Sequence, residues 1–157
     1  MKSFTAISTL FLAAASTAAA QTTQAPHLLR LSPLSVKSLT ESQTSRIDFG
    51  VEDLKNGAKT TCSTAWNNGE LDASTWFECE DKAFTFNFPT GLDDIEAFDF
   101  LVGHSAPAPA GSVIGSAHLN SHAGTSVYVC KDGATAGVEK ECNVSADSGV
   151  AVQPVNQ

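Results

Sequence analysis

One stretch of the chain, Thr60 to Pro89, constrains the fold more than any other. It carries two of the four cysteines, Cys62 and Cys79, and both tryptophans. From Phe84 to Phe88 it places a phenylalanine at every second position, with polar residues between. Apolar residues with this period of two predict a strand that buries one face. Three apolar-rich segments separated by short polar turns predict an antiparallel meander, with Cys62 and Cys79 on its first two strands.

The rest of the chain also divides into short segments of strand-like sequence. Gly, Asn and Pro separate these segments, no stretch keeps a helical period, and Asn56-Gly57 is a strong hairpin signal. Val36–Ser45 and Lys131–Lys140 are predicted to be loops, and a parity change near Phe98 predicts a bulge. We therefore expect an all-β fold, a single compact antiparallel barrel or sandwich. The further predicted strands are His27–Leu34, Ser45–Glu52, Ile95–Val102, Ser112–Leu119, Thr125–Cys130 and Gly149–Val155.

Residues 1–20 have the pattern of a secretory signal peptide. Lys2 gives a basic start, Phe4–Ala15 is apolar, and Ala18–Ala20 provides small residues for cleavage. The apolar run is shorter than the roughly 20 residues that a membrane-spanning helix needs. We therefore expect cleavage after Ala20 and a soluble, extracellular product in which residues 21–157 form one domain.

The charge balance of the expected mature chain is acidic. Removing residues 1–20 removes one basic residue, Lys2, and leaves 8 basic against 17 acidic residues, a net charge of −9. A surface of this sign repels phosphate backbones and anionic membranes. Nucleic acid and membrane are therefore not expected as partners.

All four cysteines follow the signal and would enter an oxidising compartment, where an even number predicts two disulfides. Three pairings are open. We expect Cys62–Cys79 and Cys130–Cys142, because each closes a short local loop across a predicted hairpin. Each should stabilise the fold by about 3 kcal/mol. A zinc site is the alternative, but the sequence has no CxxC and no close Cys/His spacing.

The histidines give little indication of a metal-binding site. His118 and His122 have the spacing of a helical metal pair, but they flank a predicted turn and no glutamate follows His118. A copper site at an N-terminal histidine would require cleavage after Pro26 instead of Ala20. We expect no metal and no other cofactor.

The sequence gives as little indication of a catalytic site. The acidic residues near the start of a strand could act as paired carboxylates or bind calcium, but no calcium-loop pattern is present and an exposed acidic face is the simpler reading. There is no G-x-S-x-G sequence for a serine nucleophile. A small ribonuclease would need a histidine near Arg30 or Arg46, and none is evident. The acidic residues are Asp93, Asp94, Glu96 and Asp99.

Three aromatic or imidazole side chains are candidates for a binding surface: Trp66, Trp76 and His104. The two tryptophans bracket the loop inside the expected first disulfide, and they could stack on a ligand if exposed or pack against the disulfide if buried. His104 begins a proline-rich loop, His104–Gly111. Asn143-Val144-Ser145 is an N-glycosylation sequon, so Asn143 is a candidate glycosylation site.

Several of these features together resemble the Alternaria major-allergen-like family of small secreted fungal proteins. They are Thr61–Ser63 (TCS), then Trp76–Cys79 (WFEC), then the alternating phenylalanines. A second cysteine pair follows, Cys130 and Cys142, with eleven residues between its members. Upstream, Leu31–Ser35 and Ser45–Val51 resemble the family's first strands, so that the likeness spans roughly His27 to Val152.

The resemblance implies a compact β-barrel with two local disulfides, secretion by a fungus, and a role at the plant interface as effector, elicitor or allergen. It implies no catalytic residues. This chain lacks the family's additional N-terminal cysteine, since none precedes Cys62. A disulfide-linked dimer, and ligand binding at such a dimer's interface, are therefore not expected.

The sequence thus predicts a secreted, non-enzymatic protein that binds a host or other extracellular protein. Two alternatives remain open: an extracellular carrier of phenolic or other aromatic small molecules, and a small secreted hydrolase or ribonuclease. An exterior binding surface is expected in the loops Asn67–Ser74 and His104–Gly111.

Overall fold

The computed structural model describes residues 28–107, 111–133 and 135–155. The predicted signal peptide, the lead-in after it and His27, the first residue of the first predicted strand, lie outside these residues. So do parts of two predicted loops, His104–Gly111 and Lys131–Lys140. Within the described ranges there is no helix that is long and apolar enough to cross a membrane.

The fold is all-β, as predicted, and the ten strands of the described residues form one antiparallel, nearly closed, barrel-like sheet. Most strands alternate buried and exposed side chains, which is the period of two that the sequence showed. In chain order the strands are β1 (Leu29–Leu39), β2 (Thr44–Asp53), β3 (Lys59–Asn67), β4 (Phe77–Glu78), β5 (Phe84–Asn87), β6 (Ala97–Ser105), β7 (Ser112–Asn120), β8 (Tyr128–Asp132), β9 (Val138–Val144) and β10 (Val150–Pro154).

The order of the strands around the sheet is β3-β2-β1-β10-β7-β6-β5-β4, so β3 and β4 are the two ends of this path. Strand β1 branches: Leu29–Leu31 pairs with β10, and Leu34–Leu39 pairs with β9, which in turn pairs with β8. The long strand β1 therefore connects the β8–β9 hairpin to the rest of the sheet.

A bulge at Ser32 and Pro33 separates the two halves of β1. The register against β2 shifts between Leu31 and Leu34, as it does at a β-bulge. Gly50 of β2 lies opposite this bulge, and a Cβ atom there would come within 2.6 Å of the Ser32 carbonyl oxygen. Glycine at position 50 therefore allows the close approach of the two backbones.

Phenylalanine rings fill the space inside the barrel. Phe49 on β2 contacts Phe86 on β5 and Phe100 on β6, with both pairs of ring centroids 5.0 Å apart and nearly perpendicular. Phe88 contacts Phe100 at 5.3 Å. Because β2 and β5 are not neighbours in the sheet, these contacts cross the barrel and join its opposite walls.

Both predicted disulfides are present, Cys62–Cys79 and Cys130–Cys142. The second joins directly opposed residues of the β8–β9 hairpin, as expected. The first does not cross a hairpin, and the predicted meander through β3, β4 and β5 is wrong, because β4 pairs with β5 but not with β3. Cys62–Cys79 instead joins the two ends of the sheet, next to a hydrogen bond of 2.9 Å from the Glu80 N–H to the Thr61 carbonyl.

Three further local predictions are wrong. Val36–Ser45 is mostly strand, because β1 continues to Leu39 with Val36 buried and β2 begins at Thr44. The predicted loop Lys131–Lys140 includes the end of β8 and the start of β9. The expected bulge near Phe98 is absent, since β6 and β7 pair without a register shift from Ala97 to Ser105. Ile95, whose parity suggested the bulge, precedes the strand.

Candidate functional site

The structure separates the three residues that were candidates for a binding surface. Trp66 is buried and packs on Phe88, with ring centroids 5.7 Å apart. His104 is 5% exposed, whereas Trp76 is 44% exposed. The expectation of a surface role is therefore wrong for Trp66 and His104, and Trp76 is the one of the three that a partner can reach.

His104 is buried because it continues the inward face of β6, on which Phe98, Phe100 and Val102 also lie. Its Nδ1 is 2.6 Å from Oδ2 of Asp53, which is fully buried at the end of β2. The Phe84 ring stacks on the imidazole at 3.9 Å with an interplanar angle of 3°. The Asp53–His104 pair links β2 and β6, which are distant in the sheet. Its position inside the barrel wall indicates a structural role.

The loop between β3 and β4, residues 68–76, is held in place by a buried asparagine. The Asn87 side chain is 3% exposed, and its Nδ2 donates two hydrogen bonds of 2.7 Å to the carbonyls of Ala73 and Thr75. Asn87 has the outward parity of β5, opposite to that of the phenylalanines, so the loop must cover the outside of this strand. Sequence reasoning missed this residue, and its only signal was a polar side chain within an aromatic strand.

Asp72 organises the outer part of the same loop. Its Oδ1 accepts hydrogen bonds of 2.8 Å from the backbone N–H and from the hydroxyl of Ser74. The backbone hydrogen bond first, and then the hydroxyl, hold the pKa of Asp72 below its ordinary value of 3.8. At the other end, Asn67 Nδ2 donates to Glu70 at 2.7 Å. The loop that leads to Trp76 is therefore ordered along its length.

The surface around Trp76 is strongly acidic. Residues 68–82 contain five carboxylates and one basic residue, Lys82, and all six are exposed. Lys82 forms an ion pair with Glu78 at 3.3 Å, and the segment that contains Trp76 keeps a net negative charge. The carboxylates are Glu70, Asp72, Glu78, Glu80 and Asp81. We name Trp76 and these acidic residues the Trp76 surface.

A groove of about 600 Å³ lies on the outer face of β1, β2 and β3 and extends to β9. Arg46 and Asp48, two residues apart on β2, form a two-point ion pair in its wall, with both N···O distances 2.7 Å. This bond raises the pKa of Arg46 above its ordinary value. The other polar residues that line it are Ser35, Thr61, Ser63, Glu80, Asn143 and Ser145.

Asn143 lies on the outer face of β9 and is exposed, as is Ser145. Its partners in register are Ser35 on β1 and Val129 on β8. The predicted glycosylation site is therefore within a strand, with its side chain directed away from the barrel interior.

The candidate catalytic and metal-binding residues do not assemble into one site. His118 Nδ1 contacts Asp99 at 2.9 Å on the outside of the sheet, where both side chains are about half exposed. Glu96 forms an ion pair with Lys140, and Asp94 accepts a hydrogen bond from the Glu96 N–H at 2.8 Å. In the described ranges no three His, Cys, Asp or Glu side chains are grouped to hold a metal ion.

Tyr128 is the tyrosine of β8, and it points into the barrel near this acidic run. Its hydroxyl donates a hydrogen bond of 2.5 Å to the Ile95 carbonyl. Burial first, and then the charges of Asp94 and Glu96, raise the pKa of Tyr128 far above its ordinary value. The phenol therefore stays protonated and serves as a buried donor.

No family model, curated protein or solved structure matches this chain. The resemblance to the Alternaria major-allergen-like family therefore stays a prediction that rests on the sequence features given above. The exposure of Trp76, the order of its loop and the acidity around it are established from the fold alone.

Proposed function

We propose that this chain is a secreted, non-enzymatic binding protein that recognises a basic extracellular partner protein through the Trp76 surface. The observation that carries the proposal is the exposed indole of Trp76 at the end of a loop fixed by Asn87. A large aromatic side chain on an ordered support loses little conformational entropy when a partner covers it. Tryptophan is also among the residues most often found to dominate binding energy at interfaces.

The charge of the Trp76 surface supports a basic partner. Arginine or lysine side chains on the partner would pair with Glu70 or Glu80, and a guanidinium could stack on the indole face. Charge complementarity of this kind raises association rates at low ionic strength and is weakened by salt.

Because the interior of the barrel is filled, a binding surface on the outside is favoured and an internal ligand site is disfavoured. The rings of Phe49, Phe86 and Phe100 meet at the distances of packed aromatic contacts, across the space that a carrier would keep for its ligand. A small aromatic ligand would have to bind outside the barrel, and the groove beside Arg46 and Asp48 is a place for it.

Two features support secretion. The two disulfides indicate an oxidising compartment. The pattern of residues 1–20 is that of a signal peptide. With the predicted family resemblance, these features favour a role outside a fungal cell, as an effector or elicitor that acts on a plant host or as an allergen.

The test is capture of a partner from plant apoplastic fluid by the purified mature protein, compared with two variants. Trp76→Ala should lose at least about tenfold in affinity for any captured protein, because a hot-spot aromatic contributes more than 1.4 kcal/mol. Leu54→Ala is the matched control, since Leu54 is also an exposed apolar residue, at 50%, and it should bind normally.

Binding should also weaken as salt is raised from 50 to 500 mM. Capture of nothing, together with no response when the protein is infiltrated into leaves, would contradict the proposal. Equal capture by Trp76→Ala and Leu54→Ala would show that the partner binds elsewhere on the protein.

A further inference from the structure

Two exposed valines lie at the start of β8: Val127 just before the strand and Val129 on its outer face. Val127 and Val129 are 45% and 51% exposed, whereas Tyr128 between them is buried. Among the described residues β8 pairs with β9 alone, so it is also an edge of the sheet. Exposed apolar residues on an unpaired edge favour association with other chains unless something covers them.

The sequon lies beside these valines. Asn143 is directly opposite Val129 in the β8–β9 ladder, and the two side chains share the outer face. A shallow cavity of about 460 Å³ lies between them, and Val127, Val129 and Lys131 form one side of it. Asn143, Ser145 and Ser148 form the other side. Its volume falls in the range of sites for small organic molecules.

We propose that Asn143 carries an N-linked glycan whose first sugars occupy this cavity and cover Val127 and Val129. The bond forms between the Asn143 amide nitrogen and the first N-acetylglucosamine, which is transferred from a lipid diphosphate donor. The diphosphate-lipid leaves, and the amide loses one proton. The glycan blocks lateral approach to the β8 edge.

The chemistry of the first sugar matches the two sides of the cavity. The apolar ring face and acetyl methyl group of N-acetylglucosamine pack on Val129, which is within reach because directly opposed residues on neighbouring strands lie about 5 Å apart. The sugar hydroxyls face Ser148, which can donate and accept hydrogen bonds, and Lys131, which can donate them. On the opposite side of Asn143 lies the groove beside Arg46 and Asp48, where Leu34, Phe49 and Val144 are buried and Pro33 is the exposed apolar residue. The two exposed valines lie on the β8 side. We therefore place the glycan over β8.

The first experiment asks whether the glycan is present. The full chain, residues 1–157, is expressed in a yeast that secretes it, and the product is analysed by intact mass and by peptide mapping after peptide-N-glycosidase treatment. The expected result is a glycan at residue 143 in the natural sequence and in Ser145→Thr, which keeps the sequon. Asn143→Gln and Ser145→Ala should lack it.

The second experiment asks whether the glycan covers the valines. Asn143→Gln should bind severalfold more of a hydrophobic fluorescent dye than the glycosylated protein, and it should scatter more light as its concentration rises. Adding Val127→Thr and Val129→Thr to Asn143→Gln should return both signals to the level of the glycosylated protein. Thermal unfolding of each variant checks that the fold is intact.

Three outcomes would overturn the proposal. They are a secreted chain without sugar at residue 143, a glycosylated chain whose dye binding equals that of Asn143→Gln, and a dye signal that the threonine substitutions leave unchanged. None of these outcomes affects binding through the Trp76 surface, so the failure of one proposal is distinguishable from failure of the other. A chain that never enters the secretory pathway would contradict both.

Discussion

The two disulfides enclose loops of similar length, with sequence separations of 17 and 12, but they hold different parts of the fold. Cys130–Cys142 joins two strands that are already paired at five positions in register. Cys62–Cys79 joins β3 to the residue that follows β4, and these two strands, at the two ends of the sheet, share no ladder. Near this disulfide the two ends of the sheet meet in two hydrogen bonds of 2.9 Å, from the Glu80 N–H to the Thr61 carbonyl and from the Asp81 N–H to the Thr60 hydroxyl. We name this junction the seam.

This difference shows that one covalent bond can reinforce an existing hairpin and another can close a barrel, although both close a short loop. The entropy that a disulfide removes from the unfolded chain depends on loop length. The local opening of the native state after the bond is removed depends on the hydrogen bonds that remain beside it. Loss of either bond should therefore lower global stability by similar amounts, whereas local opening should differ between the two.

The largest expected effect is on global stability. Replacing both cysteines of either pair with alanine should lower the free energy of unfolding by about 3 kcal/mol. Loop length alone makes the two losses differ by only about 0.3 kcal/mol. Urea unfolding of the two double variants at equal protein concentration measures both values. A difference above about 1.5 kcal/mol would contradict the view that both bonds act mainly on the unfolded chain.

The two variants should differ clearly in where they open. In Cys62→Ala/Cys79→Ala, the amides of Glu80 and Asp81 should exchange hydrogen with solvent much faster, because their acceptors belong to the β3 side of the seam. In Cys130→Ala/Cys142→Ala, exchange at these amides should be unchanged, since β9 keeps its pairing with β1 and β8. Hydrogen exchange with mass spectrometry under native conditions measures this. Equal protection of the seam in both variants would show that it does not need the disulfide.

The next effect concerns the loop that the first disulfide encloses. Asn87→Ala removes two donated hydrogen bonds and should cost about 1–3 kcal/mol of stability. It should also weaken binding through Trp76, although the indole itself is unchanged. Asn67→Ala is the matched control, because this asparagine donates to Glu70 at an exposed position and should cost a few tenths of a kcal/mol. Urea unfolding and partner titration of both variants test it, and equal stabilities would contradict the role given to Asn87.

The smallest effect is on titration, and it again contrasts the two enclosed loops. Asp72 lies within the first loop, and the hydrogen bonds from Ser74 lower its pKa. Glu141 lies within the second, and its pKa is lowered first by its bond to Lys37 and then by Asn143. Because both folded pKa values are depressed, each group stabilises the protein above its ordinary pKa. That contribution is lost as the pH falls through the folded pKa.

Salt distinguishes the two carboxylates. Raising sodium chloride to 0.5 M should move the pKa of Glu141 towards its ordinary value, because its partner Lys37 is a partly exposed cation. The pKa of Asp72 should stay depressed, since its partners are neutral hydrogen-bond donors. Carboxyl chemical shifts recorded by NMR as a function of pH measure both. A salt shift of equal size for both groups would contradict the assignment of causes.

The period of two in the sequence also indicated which residues are buried just past the ends of the predicted strands. Continuing Ile47, Phe49 and Val51 by one step places Asp53 on the inner face of β2. Continuing Phe98, Phe100 and Val102 places His104 on the inner face of β6. Both residues are buried there. Treating His104 as the start of an exposed loop overlooked this continuation, because a polar residue at a strand end is usually exposed.

Other features could not be predicted from the sequence. The burial of Asn87 depends on a loop that folds over the outside of β5, and that contact is not local in the chain. The branching of β1 between β9 and β10 depends on which strands meet, and the alternation of side chains does not encode this. The separation of Trp66 from Trp76 likewise follows from the direction in which the loop leaves β3.

The sequence by itself determined the strand character of most segments and the buried phenylalanine row, because these follow from side-chain alternation, and it predicted the cysteine pairing from short loop closure. Only the tertiary structure decided that Cys62–Cys79 closes the barrel and that Cys130–Cys142 reinforces a hairpin. The order of strands in a sheet is set by contacts between residues far apart in the chain. A period of two reports which face of a strand is buried and carries no information about the strand beside it.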